Sequence, residues 1–439
     1  MLMGWMKEKR FQFTFLTLLR EKNMFRRLLT FEEAQQTIQK HFKPKPLGFE
    51  EVSLLEAHNR VLAEDIIANL DIPPFHRSTV DGYAVKAQDT FSAEENKPIR
   101  LEICGTVNVG EKPKLKVEKG MAAEIVTGAP MPEGADAVVP LEQTERKGNE
   151  LYVYSAVAKN ENVMKAGADI RKGETVLKAG KLLDSRDIGV LAALGTAKVK
   201  VYVTPKVAVL STGNEITEPG ERLPPGKIYD INAYSLSAAV LESSGKPVYM
   251  GVFPDDEATL RKALERALAS ADIVITSGGV SVGPRDVIPK ILDSLGKPGL
   301  IICGIATKPG KPTTVALVDG KPVFSLPGHP TSALLIFHLL VRPVVLGSAG
   351  RRADEWVTVK AFSATRIFPA KGRRTFVMVR LVRDEKNRLL AEPVESGLSG
   401  AITTLARADG FVEILENQQF VDEGEEVTVR LFSLQGFSF

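Results

Sequence analysis

The sequence predicts a multidomain protein of α/β and β architecture, and three observations carry that expectation. Its 439 residues exceed what one ordinary hydrophobic core organises, so about two to four domains are expected. From Pro205 onward, apolar runs of strand length alternate with helical periods, the mark of βαβ units and a parallel sheet. On either side, residues 81–162 and 356–432 hold short alternating runs broken by Gly and Pro, with no long helical period.

Taken in order, Met1 to Asn23 is basic, with an apolar part, Phe11 to Leu19, broken by Gln12, Thr14 and Thr17. It lacks a small-residue cleavage site of secretory type and is expected to be an extension (residues 1–24), disordered or helical, with Met24 as a candidate start. Thr30-Phe31-Glu32-Glu33 reads as a capping box opening a helix to about His41, stopped by Pro44 and Pro46. Glu51 to Ala57 and Arg60 to Ile66 form a strand and a short helix in an order that periodicity does not decide. Asp71-Ile72-Pro73-Pro74-Phe75 marks a linker. Ile99 to Gly105, Ala122 to Val126, Ala137 to Pro140 and Leu151 to Val157 read as strands of a small β domain, and Ser185 to Leu194 as a short helix.

The α/β region is expected to run strand Lys206 to Leu210, helix Asn232 to Ser243, strand Pro247 to Val252, then a helix Asp255 to Ser270 capped by Asp255 or Asp256. Strand Asp272 to Thr276, helix Arg285 to Leu295 and strand Leu300 to Ala306 follow. Val315 to Val318, Gly320 and Val323 to Leu326 read as a hairpin, Thr331 to Leu346 as an apolar helix, and Gly347 to Arg352 as a second linker.

Composition narrows the function classes. Apolar and charged fractions of 44% and 25% are those of a globular protein. A net charge of +3 neither demands nor excludes an anionic partner, and no basic stripe points to nucleic acid. Only Cys104 and Cys303 occur, without metal-ligand spacing, which fits a reducing cytoplasm and argues against a disulfide scaffold or a zinc site. No stretch reads as the run of about 18–20 apolar residues that a membrane helix needs.

Three loops carry the chemistry. Ser277-Gly278-Gly279-Val280-Ser281-Val282-Gly283-Pro284-Arg285-Asp286 follows an apolar strand, where open α/β sheets bind anions on exposed backbone N–H groups and hydroxyls. Asp286 at its end is placed to hold a divalent cation, or simply to cap the next helix. Lys308-Pro309-Gly310-Lys311-Pro312 fixes two ammonium groups close together, an arrangement that a tetrahedral oxyanion between them relieves. Leu326-Pro327-Gly328-His329-Pro330 opens the long helix, with Thr331 and Ser332 as hydroxyls over its first turn.

Ser211-Thr212-Gly213-Asn214-Glu215 occupies the equivalent place after the first strand of this region. The G-x-G-x-x-G fingerprint is missing, which disfavours dinucleotide binding. Asp230 precedes a helix and reads as an N-cap. Combined with Glu215 and Asp286 it would line one rim, the way carboxylates hold Mg²⁺ beside phosphates. In the β region Asp81 sits on a rigid corner with Arg77 and Ser78, and Asp169 on a glycine turn. In the last domain Gly372-Arg373-Arg374 offers cationic donors and Ser399-Gly400 a hydroxyl with close backbone approach. Taken singly, each has a plain alternative as a surface turn.

Together the segments PPFHRSTVDGYAV, VTGAPMPEGADAVV, AGADIRKGE, STGNEI, IYDIN, SGGVSVGPRD, KPGKP and LPGHPTSA resemble the MoeA-type molybdenum insertases, the family that includes the gephyrin E domain. They occur in that family's order from about Leu28 to the C-terminus. The resemblance implies a three-layer α/β molybdopterin-binding domain (205–348), a discontinuous N-terminal mixed domain (25–70 and 168–204), a β-rich inserted domain (71–167) and a C-terminal β-barrel-like domain (349–439). It implies a homodimer whose active site in the α/β domain is completed by the partner's other domains. It also implies a reaction: adenylylated molybdopterin and molybdate, or tungstate, give molybdenum cofactor and AMP, with Mg²⁺ or another divalent cation, in the cytoplasm.

By the same resemblance, the family's functional acids fall on Asp81, Asp169, Glu215, Asp230 and Asp286, with Glu215, Asp230 and Asp286 as cation ligands. Its molybdate-contacting lysines fall on Lys308 and Lys311. Ser211, Thr212, Gly213, Ser277, Gly278, Gly279, Ser281, Pro327, Gly328, Pro330, Ser332, Arg373 and Ser399 are the expected substrate-binding positions. His329 stands where many members carry Asn. Contact with the molybdopterin adenylyltransferase is a further expectation. Two alternatives remain on sequence grounds: that adenylyltransferase activity itself, which shares the α/β domain but not the flanking ones, and a non-catalytic scaffold of the gephyrin type.

Overall fold

A computed structural model of the chain describes residues 28–279, 287–351, 356–394 and 402–432. The expected extension at 1–24, and Ser281, Asp286 and Ser399, lie outside the described residues. The chain forms two compact units, one of residues up to 50 and from 202 onward, the other of residues 51–201.

The capping box opens the first unit. Thr30 Oγ1 accepts from the Glu33 backbone N–H (3.1 Å), and Glu33 Oε2 accepts from that of Thr30 (2.9 Å). Helix α1 (Phe31–His41) buries Phe31, Ala34 and Ile38, which its 3.6-residue period places on one face. That face enters a core shared with Leu236, Phe324 and Phe337 of the α/β region. The sequence reading grouped residues 25–70 with 168–204; α1 packs instead with residues from 207 to 411. Burying a Phe or Ile side chain contributes about 1.5–3 kcal/mol each, enough to settle where a short amphipathic helix docks.

In the second unit, strand β1 (Gly82–Val85) starts one residue after Asp81. With β2 (Ile99–Val107), β3 (Met121–Ile125), β4 (Ala137–Pro140), β5 (Thr144–Lys147) and β6 (Glu150–Val153) it forms a six-stranded sheet of order β4-β1-β3-β2-β6-β5. Alternate side chains feed two cores, one around Tyr83, Leu101 and Val153, the other around Ala84, Val117 and Ile125. Between Glu51 and Ile67 the order left open resolves as strand to Ser53, short helix Leu54–Ala57, then strand Ile66–Ile67. Helix α2 (Ser185–Ala193) is capped by Asp184, which accepts from the backbone N–H groups of Arg186 and Asp187, and it closes a third core with Leu62, Leu177 and Val201.

The α/β region returns the chain to the first unit. Its elements are β7 (Lys206–Thr212), α3 (Asn232–Glu242), β8 (Lys246–Phe253), α4 (Glu257–Ser270), β9 (Ile273–Ser277), α5 (Val287–Leu295), β10 (Pro298–Cys303), β11 (Thr314–Val318) and β12 (Lys321–Leu326). The sheet order is β8-β7-β9-β12-β11-β10. Strands β8, β7, β9 and β12 are parallel, whereas β11 runs antiparallel to both neighbours, because a two-residue turn makes β11 and β12 the expected hairpin. Apolar cores lie on both faces of the sheet, one around Leu260, Ile288 and Ile291 and the other around Leu236, Phe324 and Phe337. The order reverses between β7 and β9, where the chain winds first to one side and then to the other; ligands of open α/β sheets bind at such a switch point.

The expected apolar helix is α6 (Pro330–Ile336), a π-helical stretch at Phe337–Val341 and α7 (Arg342–Ser348). Pro343 has no N–H to give Leu339, so the regular ladder is interrupted there. This 19-residue segment is long and apolar enough to cross a membrane, which the sequence reading missed, but 78% of its most apolar window is buried in the protein, as in a core helix.

Strands β13 (Thr358–Ser363), β14 (Arg374–Arg383), β15 (Leu389–Pro393), β16 (Gly410–Ile414) and β17 (Glu426–Leu431) close into a five-stranded barrel by the circuit β14-β15-β13-β17-β16-β14. Its interior holds Val379, Ala391, Val412, Ile414 and Val429. Short strand Thr307–Lys308 adds in parallel to β14, pairing Thr307 with Arg374 and Lys308 with Thr375. Arg374, 12% exposed, bonds Glu413 (3.0 Å) and Glu416 (3.1 Å) on the barrel and Glu32 on α1. An aromatic chain completes the seam: Phe31 to Phe376 (5.5 Å between centroids), Phe376 to Phe411 (5.7 Å), Phe411 to Trp356 (5.1 Å) and Trp356 to His338 (6.1 Å).

Candidate active site

The site begins at the switch point. β7 ends in Ser211 and Thr212, and β9 in Ser277, all four strands' ends here being parallel. Gly278 follows at φ +94, and a Cβ there would lie 2.1 Å from Thr212 O, so only glycine lets the two loops touch. Asn232, first residue of α3, ties the third loop to them: its Nδ2 donates to Ser277 Oγ (2.8 Å) and to Gly328 O (2.7 Å). Ser277 Oγ in turn donates to Pro327 O (3.2 Å). The expected positions Ser211, Thr212, Gly213, Ser277, Gly278, Gly279, Pro327 and Gly328 thus belong to one set of adjoining loops.

Among the described residues, several polar atoms around this set are buried without a hydrogen-bond partner: Ser211 Oγ, Thr212 Oγ1, Asp230 Oδ2, Asn232 Oδ1, Thr307 Oγ1 and Thr331 Oγ1. A buried donor or acceptor left unsatisfied costs about 1–3 kcal/mol, so a run of them in one region marks a place built to meet something polar.

Asp230 divides its two oxygens. Oδ1 accepts from Ala233 N (3.0 Å), the N-cap role expected, while Oδ2 faces no donor among the described residues. A hard, uncommitted carboxylate oxygen suits a divalent cation. Glu215 is exposed, and the parallel ladder of Ile216–Thr217 with Ile228–Tyr229 puts it and Asp230 at opposite ends, offset by about 10 Å along the strands. Among the described residues no three His, Cys, Asp or Glu side chains gather as a metal site. Of the expected trio of Glu215, Asp230 and Asp286, the last lies outside the described residues, and Asp230 offers an oxygen that meets no protein donor among them.

Beyond Pro327 the loops open onto a cavity of about 470 Å³ between the α/β region and the barrel. Among the described residues, Lys308, Lys311 and Arg373 line it, with Thr307, Thr331, Ser332, Thr375 and Thr404, and no Asp or Glu does. Local structure explains the placement of each cation. The Thr307–Lys308 strand is clamped to β14, and Arg374 N donates to Ala306 O (3.0 Å), so Lys308 and Arg373 arrive at the same edge. Gly310, at φ +103, lets the loop fold back: a Cβ there would lie 2.4 Å from Ile336 Cδ1. Apolar wall comes from Ile367, Phe368, Phe376 and Met378. Ser332 and Pro327 are buried, Pro330 partly so, and His329 lines the same cavity.

Sequence reasoning missed Thr307, Thr375 and Thr404, because single threonines carry no spacing signal, and the apolar wall, because it comes from a separate domain. Ser281, Asp286 and Ser399 lie outside the described residues.

Asp81 and Asp169 belong to the second unit. Asp81 Oδ1 accepts from Thr127 N (2.6 Å) and Thr127 Oγ1 (2.8 Å), and these two bonds hold its carboxyl below the usual aspartate range. Asp169 is exposed on a turn whose backbone N–H donates to Ile72 O (3.0 Å).

Comparison with known proteins bears on all of this. The family profile of the MoeA N-terminal region (domains I and II) matches residues 29–195, a probable molybdopterin binding domain matches 208–347, and the MoeA C-terminal region (domain IV) matches 360–432. A molybdopterin molybdenumtransferase of Nostoc sp. is 34% identical over 86% of this chain and 87% of its own. One from Haemophilus influenzae is 33% identical over 92% of this chain and 99% of its own. A crystal structure of a molybdopterin biosynthesis MoeA protein from Pyrococcus horikoshii superposes with a TM-score of 0.81 at 44% identity, covering 93% of this chain and 100% of that one. With the α/β domain, the five-stranded barrel and these relatives in agreement, the chain belongs to the MoeA family of molybdopterin molybdenumtransferases.

Proposed function

We propose that this protein inserts molybdate, or tungstate, into adenylylated molybdopterin and releases AMP. One observation carries the reading: a cavity lined, among the described residues, by three cationic side chains and no carboxylate opens beside switch-point loops whose buried hydroxyls find no partner among those residues. Such a cavity selects an anion, and fixed ammonium groups suit a compact oxyanion.

The division of labour follows from the two halves of the site. Ser211, Thr212, Ser277, Gly278 and Gly279 cradle the pterin phosphate with hydroxyls and backbone N–H groups. Lys308, Lys311 and Arg373, with Ser332, receive molybdate. As the dithiolene sulfurs of the substrate bind the molybdenum, their two thiol protons leave with one oxo group as water; a water then attacks the phosphoanhydride, giving the molybdopterin phosphate monoester and free AMP, so no side-chain nucleophile is required. Where a divalent cation binds, Asp230 with Glu215 and Asp286 would hold it, and it would offset the charge that develops on the departing adenylate. The chain's own contribution is to bring two anions together, which bulk water opposes and a cationic, partly dry pocket favours.

Lys308→Ala with Lys311→Ala should abolish molybdate-dependent AMP release while leaving molybdopterin binding within about twofold, since each lost charged hydrogen bond is worth about 1.5–3 kcal/mol at the oxyanion and nothing at the pterin. Unchanged turnover in the double variant would refute the assignment. Adenylyl transfer from ATP to molybdopterin by the wild-type protein would favour the adenylyltransferase reading. A cytoplasmic homodimer, in which Asp81 and Asp169 of one subunit serve the pocket of the other, and contact with the adenylyltransferase belong to the same proposal; the family resemblance supports them.

A further inference from the structure

Two threonines that line the cavity carry hydroxyls with no hydrogen-bonding role among the described residues. Thr307 is 1% exposed and Thr331 5% exposed, both line the cavity that Lys308 and Lys311 also line, and among the described residues Oγ1 of each is without a hydrogen-bond partner. They come from different elements, the strand clamped to β14 and the first turn of α6, so no local turn motif accounts for the pair. Neighbouring hydroxyls show what satisfaction looks like here: Thr313 Oγ1 donates to Gly310 O (2.7 Å), and Thr375 Oγ1 donates to Arg373 O (3.2 Å) and accepts from Ala370 N (3.0 Å). Threonine that only filled space at these positions would be better replaced by valine, which carries no desolvated hydroxyl.

We infer that the Thr307 and Thr331 hydroxyls are donors to the metal oxyanion, completing with Lys308 and Lys311 the subsite that fixes its orientation. Resting on the proposed molybdate insertion, this adds two neutral ligands to the cationic ones. The chemistry is complementary. Ammonium groups attract a dianion from any direction, whereas a buried hydroxyl donates along one line, so the cations concentrate the oxyanion and the threonines aim it. Both ends of the subsite are held: Thr307 by its strand pairing with Arg374, and Thr331 by its place one residue after Pro330.

The test uses Thr307→Val, Thr331→Val and the double variant in the full-length protein, with Thr→Ser at each position as the hydroxyl-retaining control and Thr→Ala where valine impairs folding. Molybdate and tungstate binding is measured directly by calorimetry, and the molybdate dependence of AMP release separately. Each valine should weaken oxyanion binding about tenfold, the usual scale for one hydrogen bond to a charged group. The KM for molybdate should rise in parallel, with the KM for adenylylated molybdopterin unchanged and serine restoring most of the loss. Wild-type oxyanion affinity in the double valine variant overturns the inference, as does a fall in kcat at unchanged KM for molybdate. If the wild-type protein binds molybdate but releases no AMP, the insertion reading fails while the hydroxyl assignment is still decided by calorimetry. If it binds neither oxyanion, both fall.

Discussion

Gly278 shows how much of the site depends on single residues. Its positive φ costs an L-residue about 1–3 kcal/mol, and the carbonyl of Thr212 occupies the place a side chain would take. Gly320, in the β11–β12 turn at φ +87, has the first problem without the second, because nothing lies within 4 Å of a Cβ there. Gly320→Ala should therefore lower the melting temperature modestly and leave molybdopterin binding intact. Gly278→Ala should lower it further and abolish binding, by prying the Ser277 loop from Thr212. Equal effects of the two substitutions on binding would show that the close approach of these loops is irrelevant to the site. Asn232 is the residue-level counterpart, one amide holding two loops, and it was not legible in the sequence, where it reads as an ordinary helix residue. Thr307 was hidden for the same reason, whereas the paired lysines around Pro309-Gly310 were legible because their spacing constrains where both charges can go.

At the level of elements, the π-helical stretch between α6 and α7 places His338 against Phe337, Trp356 and Phe432. Burial, aided by the Arg342 charge, pulls its imidazole down to about 4 from 6.5. The unfolded chain takes up this proton near pH 6.5 and the folded one only near 4, so the stability is full above about 6.5 and is lost as pH falls toward 4. Between pH 7 and pH 5 this amounts to about 2 kcal/mol. Urea unfolding at the two pH values should show that loss, and His338→Phe should remove most of it; an undiminished pH dependence in the variant would place the titrating group elsewhere. Elements with local signals were readable from the chain alone. The Thr30–Glu33 capping box, the βαβ alternation and the β11–β12 hairpin depend on residues a few positions apart. The destination of α1 was not readable, since the amphipathic face of Phe31, Ala34 and Ile38 declares that it will be buried but not against what. Nor was the π stretch, which arises where Pro343 meets a continuous apolar run.

At the scale of the whole molecule, Asp81 and Asp169 raise the question of assembly. Their residue types and turns are those of functional acids, yet they belong to the unit that lacks the cationic cavity. If a second copy brings them to the pocket, Asp81→Asn and Lys308→Ala subunits, each inactive alone, should complement when mixed. Random re-pairing would then restore about a quarter of wild-type AMP release, because half the dimers are mixed and each has one intact pocket. No recovery after verified subunit exchange would assign both acids to their own chain's chemistry or to structure. The path of the polypeptide has a separate consequence for biogenesis. Helix α1 leaves the ribosome early, but its partners Phe324 and Phe337 come last but for the barrel. At ribosomal speed that interval is on the order of tens of seconds. During it residues 51–201 have everything they need to fold, while the greasy side of α1 waits in solvent, so the nascent chain, and not the finished enzyme, is the form most in need of a chaperone.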